Sequence, residues 1–181
     1  MRTEMYIWIA IDVNEQVREL REFAENYVNK YGLTSPALTL PFHISLKISF
    51  QIPNDKRQEI ICDIRDFCRT LKPFTIPVGG LEKNDTIIWL TMQESDDLNL
   101  IHDDLDELLL KKYGVVQHTF DKSFIFHTSV LIMNNEEHLC NAYEAINGTP
   151  IPNELKAEKI IIGSSMNGQA GTYTVNEEIM L

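Results

Sequence analysis

The sequence predicts an α+β protein of two pseudo-symmetric lobes, with mostly antiparallel sheets around a central groove and helices outside. Three observations predict it. Apolar residues recur with period 2 and with period 3.6 in alternating segments. The order strand, helix, strand, helix, strand runs through both halves, about residues 1–82 and 83–181, which read as one domain. The paired helix starts, 14 with 95 and 54 with 135, are each 81 positions apart, and His43 and His127, which open matching strands, are 84 apart. Helices segregated to one face of antiparallel sheets give an α+β rather than a doubly wound architecture.

The elements follow in order. Residues 6–13 read as a strand. Asn14 offers an N-cap, and Val17, Leu20, Ala24, Tyr27, Val28 and Tyr31 recur at helical spacing until Gly32, which accepts the left-handed conformation that closes a helix. Residues 43–50 alternate, with Phe42, Ile44, Leu46, Ile48 and Phe50 on an apolar back and His43, Ser45, Lys47 and Ser49 on a polar front. Pro53, Asn54 and Asp55 open a second helix burying Ile60, Ile61, Ile64, Phe67, Cys68 and Leu71, and Pro73 stops it. Strands are expected over 74–78, ending at Gly79-Gly80, and over 86–92. Ser95 and Asp96 open a third helix that Gly114 closes. Residues 123–133 read as an apolar strand, Asn134 and Asn135 start a fourth helix that Gly148 ends, and strands over 159–163 and 172–180 flank a turn at 166–169.

Composition narrows the function. With 181 residues and 44% hydrophobic content, the chain can bury a core without a disulfide or structural metal. Cys62, Cys68 and Cys140 are odd in number and form no C-x-x-C pair, so a reduced, cytoplasmic protein is expected, with no zinc site. The apolar stretch 5–10 meets Asp12 at once and lacks a small-residue cleavage site, so it is not read as a secretory signal, and no run approaches a membrane span. A net charge of −11 disfavours long duplex nucleic acid. A nucleic-acid substrate would be an end, a short oligonucleotide or a nucleotide. The plainer reading is that the acidity only keeps the protein soluble.

The chemistry lies in His43-Ile44-Ser45-Leu46 and His127-Thr128-Ser129-Val130. On a strand, residues i and i+2 share a face about 7 Å apart, so each motif offers an imidazole and a hydroxyl to one ligand. Two such strands would surround a phosphate. One imidazole, neutral, takes a proton from the attacking oxygen; the other, cationic, gives one to the leaving oxygen. Ser45 and Ser129 would donate to the non-bridging oxygens, and no metal or cofactor is needed. The plain alternative is two half-buried histidines satisfied by neighbouring hydroxyls.

These motifs, with Pro41-Phe42 before the first, Phe126 before the second and Ile160-Ile161-Ile162-Gly163-Ser164 near the end, resemble the 2H phosphoesterase superfamily, which includes the 2'-5' RNA ligase-like proteins and the RNA 2',3'-cyclic phosphodiesterases. The resemblance implies a bilobal (LigT-like) fold and metal-free chemistry by His43 and His127 on 2',3'-cyclic phosphate ends or small cyclic or 2'-5'-linked nucleotides. Here both hydroxyl positions are Ser where Thr is common, and Thr128 is polar where an apolar residue is usual. A module that only binds such ends, and a ligase running the reaction in reverse, are the alternatives; a monomer is expected.

Other residues are weighed against plain roles. Lys47, on the His43 face by alternation, either neutralises a phosphate or is solvated. Tyr173 is a stacking candidate or, more simply, a strand tyrosine. His102 reads as part of a solvated acidic face, Trp8 and Trp89 as core, and His118 and His138 receive no role.

Overall fold

The computed structural model describes residues 4–181, the side chain of Lys122 excepted. The chain runs β1 (Glu4–Asp12), α1 (Arg18–Tyr31), β2 (His43–Pro53), α2 (Arg57–Cys68), β3 (Phe74–Lys83), β4 (Ile87–Met92), α3 (Asp96–Tyr113), β5 (His127–Ile132), α4 (Glu136–Ile146), β6 (Glu154–Ala157), β7 (Lys159–Ser165) and β8 (Thr174–Met180). Two four-stranded antiparallel sheets result, ordered β2-β1-β7-β8 and β5-β4-β3-β6. Each ends on a motif strand. The α+β, two-lobed architecture is the one the sequence predicts.

The sheets do not coincide with the linear halves. β3 leaves the first half to pair with β4, and β7 and β8 return from the second half to pair beside β1. The chain therefore crosses between lobes. The first helix of each half also reaches across: α1 approaches β5, and α3 approaches β2. One continuous core joins both sheets, from Ile7, Ile9 and Ile11 to Leu90, Leu105 and Val130. Burial at ~25 cal/mol per Å2 of apolar surface makes this shared core the main force holding the lobes together.

Local chemistry explains the helix ends. Ser95 accepts from the amide of Leu98 and Asn135 from that of His138, as N-caps do. Gly32 and Gly114 close α1 and α3 with left-handed φ of 64° and 67°. Asn14 is not the cap of α1, whose N-cap is Val17. Its side chain instead accepts from the amide of Phe42, beside the first motif.

Several strands differ in extent from expectation. β3 runs through Gly79-Gly80, where the ladder slips and Gly80 takes φ 153°. β5 begins only at His127, since residues 119–123 form a 3-10 turn. β6, short and not anticipated, covers the β3 edge. Among the described residues no helix is long and apolar enough to cross a membrane.

Gly163 permits a close approach that shapes the groove. A Cβ there would lie 2.6 Å from the Trp8 ring and 3.0 Å from the Thr174 carbonyl oxygen. Gly163→Ala is therefore expected to lower the free energy of urea unfolding by about 1–3 kcal/mol. An unchanged unfolding midpoint would contradict this packing.

Candidate active site

The motif strands meet at a groove of about 700 Å3 lined by His43, Ser45, His127 and Ser129 together with Trp8 and Trp89. The four motif side chains thus converge on one cavity. Each histidine is fixed in the same way. His43 Nδ1 lies 2.7 Å from the Pro41 carbonyl oxygen, and His127 Nδ1 lies 2.8 Å from that of Ile125. A carbonyl only accepts, so Nδ1 carries the proton and donates, leaving Nε2 as the unprotonated nitrogen of each neutral ring.

The segments before the histidines are themselves held. Arg21 donates to the carbonyls of Leu38 and Leu40 and to Asn14 Oδ1, while Asn14 also accepts from the Phe42 amide. The Val13 amide donates to the Phe42 carbonyl. On the other side the Met92 amide donates to the Phe126 carbonyl.

Trp8 and Trp89 are not plain core. Trp8 lies edge-on to His43 with ring centroids 4.3 Å apart, and Trp89 tilts against His127 at 4.6 Å. Trp8 belongs to a small apolar cluster with Ala10 and Ile161, apart from the main core. Its Nε1–H donates to Ser45 Oγ at 3.2 Å, which frees the serine's own proton for another acceptor. The two tryptophans stand 81 residues apart in the opening strand of each half, a match that the sequence shows but that local pattern reads as core.

The imidazoles are weakly basic. Burial, against the pull of the Pro41 carbonyl and Asp12 and aided by His127 beside it, lowers His43 to about 4. Burial also lowers His127 from the ordinary 6.5, against the pull of the Ile125 carbonyl. Desolvation disfavours the imidazolium in both.

The polar second position of the second motif has a specific partner. Thr128 is fully buried, and its hydroxyl donates to the backbone carbonyl of His43 at 3.0 Å. An apolar residue there would leave that bond unmade. Ser35 makes a second tie, accepting from the Ile132 amide at 2.9 Å.

Lys47 lines the groove but is not solvated. It is 2% exposed, and its ammonium lies 2.6 Å from Asp106 and 2.5 Å from Asp121. The cause is a pair of ladder irregularities in β2: Ala10 faces Ser45 while Ile9 faces Lys47, and the register slips again before Phe50. Strict alternation fails there, and Ile48, expected on the apolar back, lines the groove beside Ser49. His102 is likewise buried rather than solvated, 3.8 Å from Asp121 through Nε2. Ligand-type atoms of His102, Asp106 and Asp121 lie within 4.8 Å of one another, but the Lys47 ammonium already supplies the cation among them. Tyr173 lines the groove just before β8, its ring 6.4 Å from Trp8. His118 caps the 3-10 turn, its ring nitrogen accepting from the Phe120 amide.

Comparison with known proteins bears on this arrangement. The sequence profile of the 2'-5' RNA ligase superfamily matches residues 10–168. The chain belongs to the 2'-5' RNA ligase superfamily. A Bacillus licheniformis protein with a provisional phosphoesterase name is 22% identical over 126 residues, 67% of this chain and 69% of that one. Among solved structures, a Thermus thermophilus protein is similar with TM-score 0.66 and 17% identity, covering 97% of each chain. LigT of E. coli in complex with NADP+ gives TM-score 0.62 and 15% identity, covering 98% of this chain and 97% of that one. At these identities the structures show a shared fold. The superfamily assignment and the bilobal fold agree with the resemblance drawn from the two motifs.

Two variants test how the site is held. Thr128→Val leaves the His43 carbonyl without its donor and is expected to lower unfolding free energy by about 1–3 kcal/mol, with Thr128→Ser much closer to wild type; equal stability of all three would contradict the bond. Lys47→Met strands two buried carboxylates and is expected to cost about 3–5 kcal/mol near pH 7. A melting temperature equal to wild type would show that Lys47 is not engaged.

Proposed function

We propose that the protein is a metal-independent phosphodiesterase that opens 2',3'-cyclic phosphate ends of RNA or cleaves small cyclic or 2'-5'-linked nucleotides, with His43 and His127 as base and acid. The observation that carries this reading is the matched fixing of both rings through Nδ1 beside a shared groove. It gives each motif the same reactive nitrogen, as proton transfer in either direction requires. Membership of the 2'-5' RNA ligase superfamily supports it. So do the nucleotide complexes of the E. coli LigT structures, with 3'-AMP and with ATP.

In hydrolysis, one imidazole removes a proton from water as its oxygen attacks phosphorus. The other protonates the ribose oxygen as its bond to phosphorus breaks. The product is a phosphomonoester with a free hydroxyl, and each ring ends in the other's starting state. The deeper depression of His43 suits it to the base, which must be neutral. His127 then serves as the acid, and a bound anion raises its proton affinity. Ser45, already accepting from Trp8, and Ser129 donate to non-bridging oxygens. Run backwards, the same groups join a 2',3'-cyclic end to a hydroxyl. The protein works in this reading as a cytoplasmic monomer on a nucleotide or short RNA.

With EDTA present, wild-type protein is expected to hydrolyse a nucleoside 2',3'-cyclic phosphate, and His43→Ala and His127→Ala each to lose at least about a hundredfold in rate. Equal turnover by wild type and both variants would remove the assignment. The pH profile follows from the same shifts. Activity measured as kcat/KM should rise as His43 loses its proton near pH 4 and fall as His127 loses its own below the ordinary 6.5. The kcat optimum should sit at higher pH, because bound phosphate favours the imidazolium. A kcat/KM optimum above about pH 7.5 would contradict these roles.

A further inference from the structure

One hydrogen bond present at the first motif is missing at the second. Each motif histidine packs on a tryptophan of the neighbouring strand, His43 on Trp8 and His127 on Trp89. Each motif serine lines the groove beside them. At the first motif indole and serine are joined, Trp8 Nε1–H donating to Ser45 Oγ at 3.2 Å. At the second they are not. Trp89 Nε1 is closed off from solvent and has no hydrogen-bond acceptor. An indole N–H can only donate, and a buried donor left unpaired is costly unless something supplies its acceptor.

The register names that acceptor. Trp89 and Ser129 are direct cross-strand partners on β4 and β5, and both line the groove. Side chains directly opposite in an antiparallel pair share a face, with Cβ atoms about 4.5–5.5 Å apart, within reach of a long aromatic side chain. Trp8 reaches Ser45 from a different place. Ser45 pairs with Ala10, and the Trp8 indole crosses diagonally over a ladder irregularity. A serine Oγ turns about a single bond among three staggered positions, so Ser129 can change partner without movement of the backbone. A hydroxyl accepts and donates at once, and hydrogen bonds in a chain strengthen one another. An anion that takes the Ser129 proton into a hydrogen bond therefore makes Ser129 Oγ a better acceptor for the indole.

We infer that Trp89 is a positioning residue for Ser129: with a phosphate group in the groove, its indole N–H donates to Ser129 Oγ and turns the serine's own proton onto a non-bridging oxygen. The same relay already stands half-built at Trp8 and Ser45. The first motif is thus arranged before the anion arrives, and the second is completed by it. The inference rests on the phosphodiesterase reading for the identity of the anion, and adds to that reading the group that orients its second hydroxyl. Trp89 touches neither the attacking nor the leaving oxygen and acts only through Ser129.

A double-mutant cycle separates this role from simple packing. On a nucleoside 2',3'-cyclic phosphate, Trp89→Phe should lower kcat/KM about five- to tenfold, the effect of one hydrogen bond, in the wild-type and Ser45→Ala backgrounds. In Ser129→Ala the same change should cost less than about twofold, because the acceptor is already gone. Equal losses in both serine backgrounds would make Trp89 a packing residue and overturn the inference; so would no loss in the wild-type background. A second readout needs neither turnover nor a change at Trp89. The indole 1H–15N resonance of Trp89 is followed as inorganic phosphate is added. Its proton should move downfield in wild type and in Ser45→Ala, but not in Ser129→Ala. A resonance that phosphate leaves in place, or that moves as far in Ser129→Ala as in wild type, would overturn the inference. Absence of turnover by wild type on any cyclic phosphate would count against the phosphodiesterase reading, while the phosphate titration still decides the role of Trp89.

Discussion

The hydrogen bond from Thr128 to the His43 carbonyl marks the constraint on which the site depends. The motif strands β2 and β5 are the outer strands of two different sheets and share no ladder. Backbone pairing, which fixes register elsewhere in the fold, cannot set their separation. Side chains and crossing elements do so instead. Thr128 and Ser35 bond across the seam, Lys47 joins β2 to the turn before β5, and α1 and α3 each approach the other lobe's motif strand. Beneath them the common core resists separation of the lobes. Strand exchange adds to this, because β3, β7 and β8 bind each half of the chain into the other's sheet.

Electrostatics within this frame are economical. The Lys47 charge is committed to Asp106 and Asp121 beneath the groove, and both imidazoles are pushed toward their neutral forms. In a chain of net charge −11, the proposed reaction has an anion met by hydroxyls and by imidazoles whose proton affinity it raises. Fixing Nδ1 on a carbonyl two residues back costs little extra structure, since the segment just before each motif strand supplies the acceptor. The indole of Trp8 likewise serves twice, packing on His43 and orienting Ser45.

Much of this was legible in the sequence where local rules suffice. Alternation placed His43 with Ser45, and caps at Ser95, Asn135, Gly32 and Gly114 lie where short-range hydrogen bonding and φ preference put them. The misreadings share a cause, which is that tertiary context overrode a local pattern. A solvated Lys47 was one reading of the alternation, but irregular pairing with β1 buries its ammonium between Asp106 and Asp121. His102 reads as solvated between acidic neighbours, yet Asp121, Phe124 and Phe126, further along the chain, pack against it. The polar Thr128 was visible as an oddity, but its acceptor lies 85 residues away on another sheet.

The central claim is that both rings present Nε2 to one phosphate. Two-dimensional 15N NMR of the histidine side chains, recorded near pH 7 with and without inorganic phosphate, tests it most directly. The account predicts neutral Nδ1–H tautomers for His43 and His127 in the free protein, and added phosphate shifting both Nε2 resonances with one common affinity. An Nε2–H tautomer in either ring, or a response confined to one of them, would contradict it.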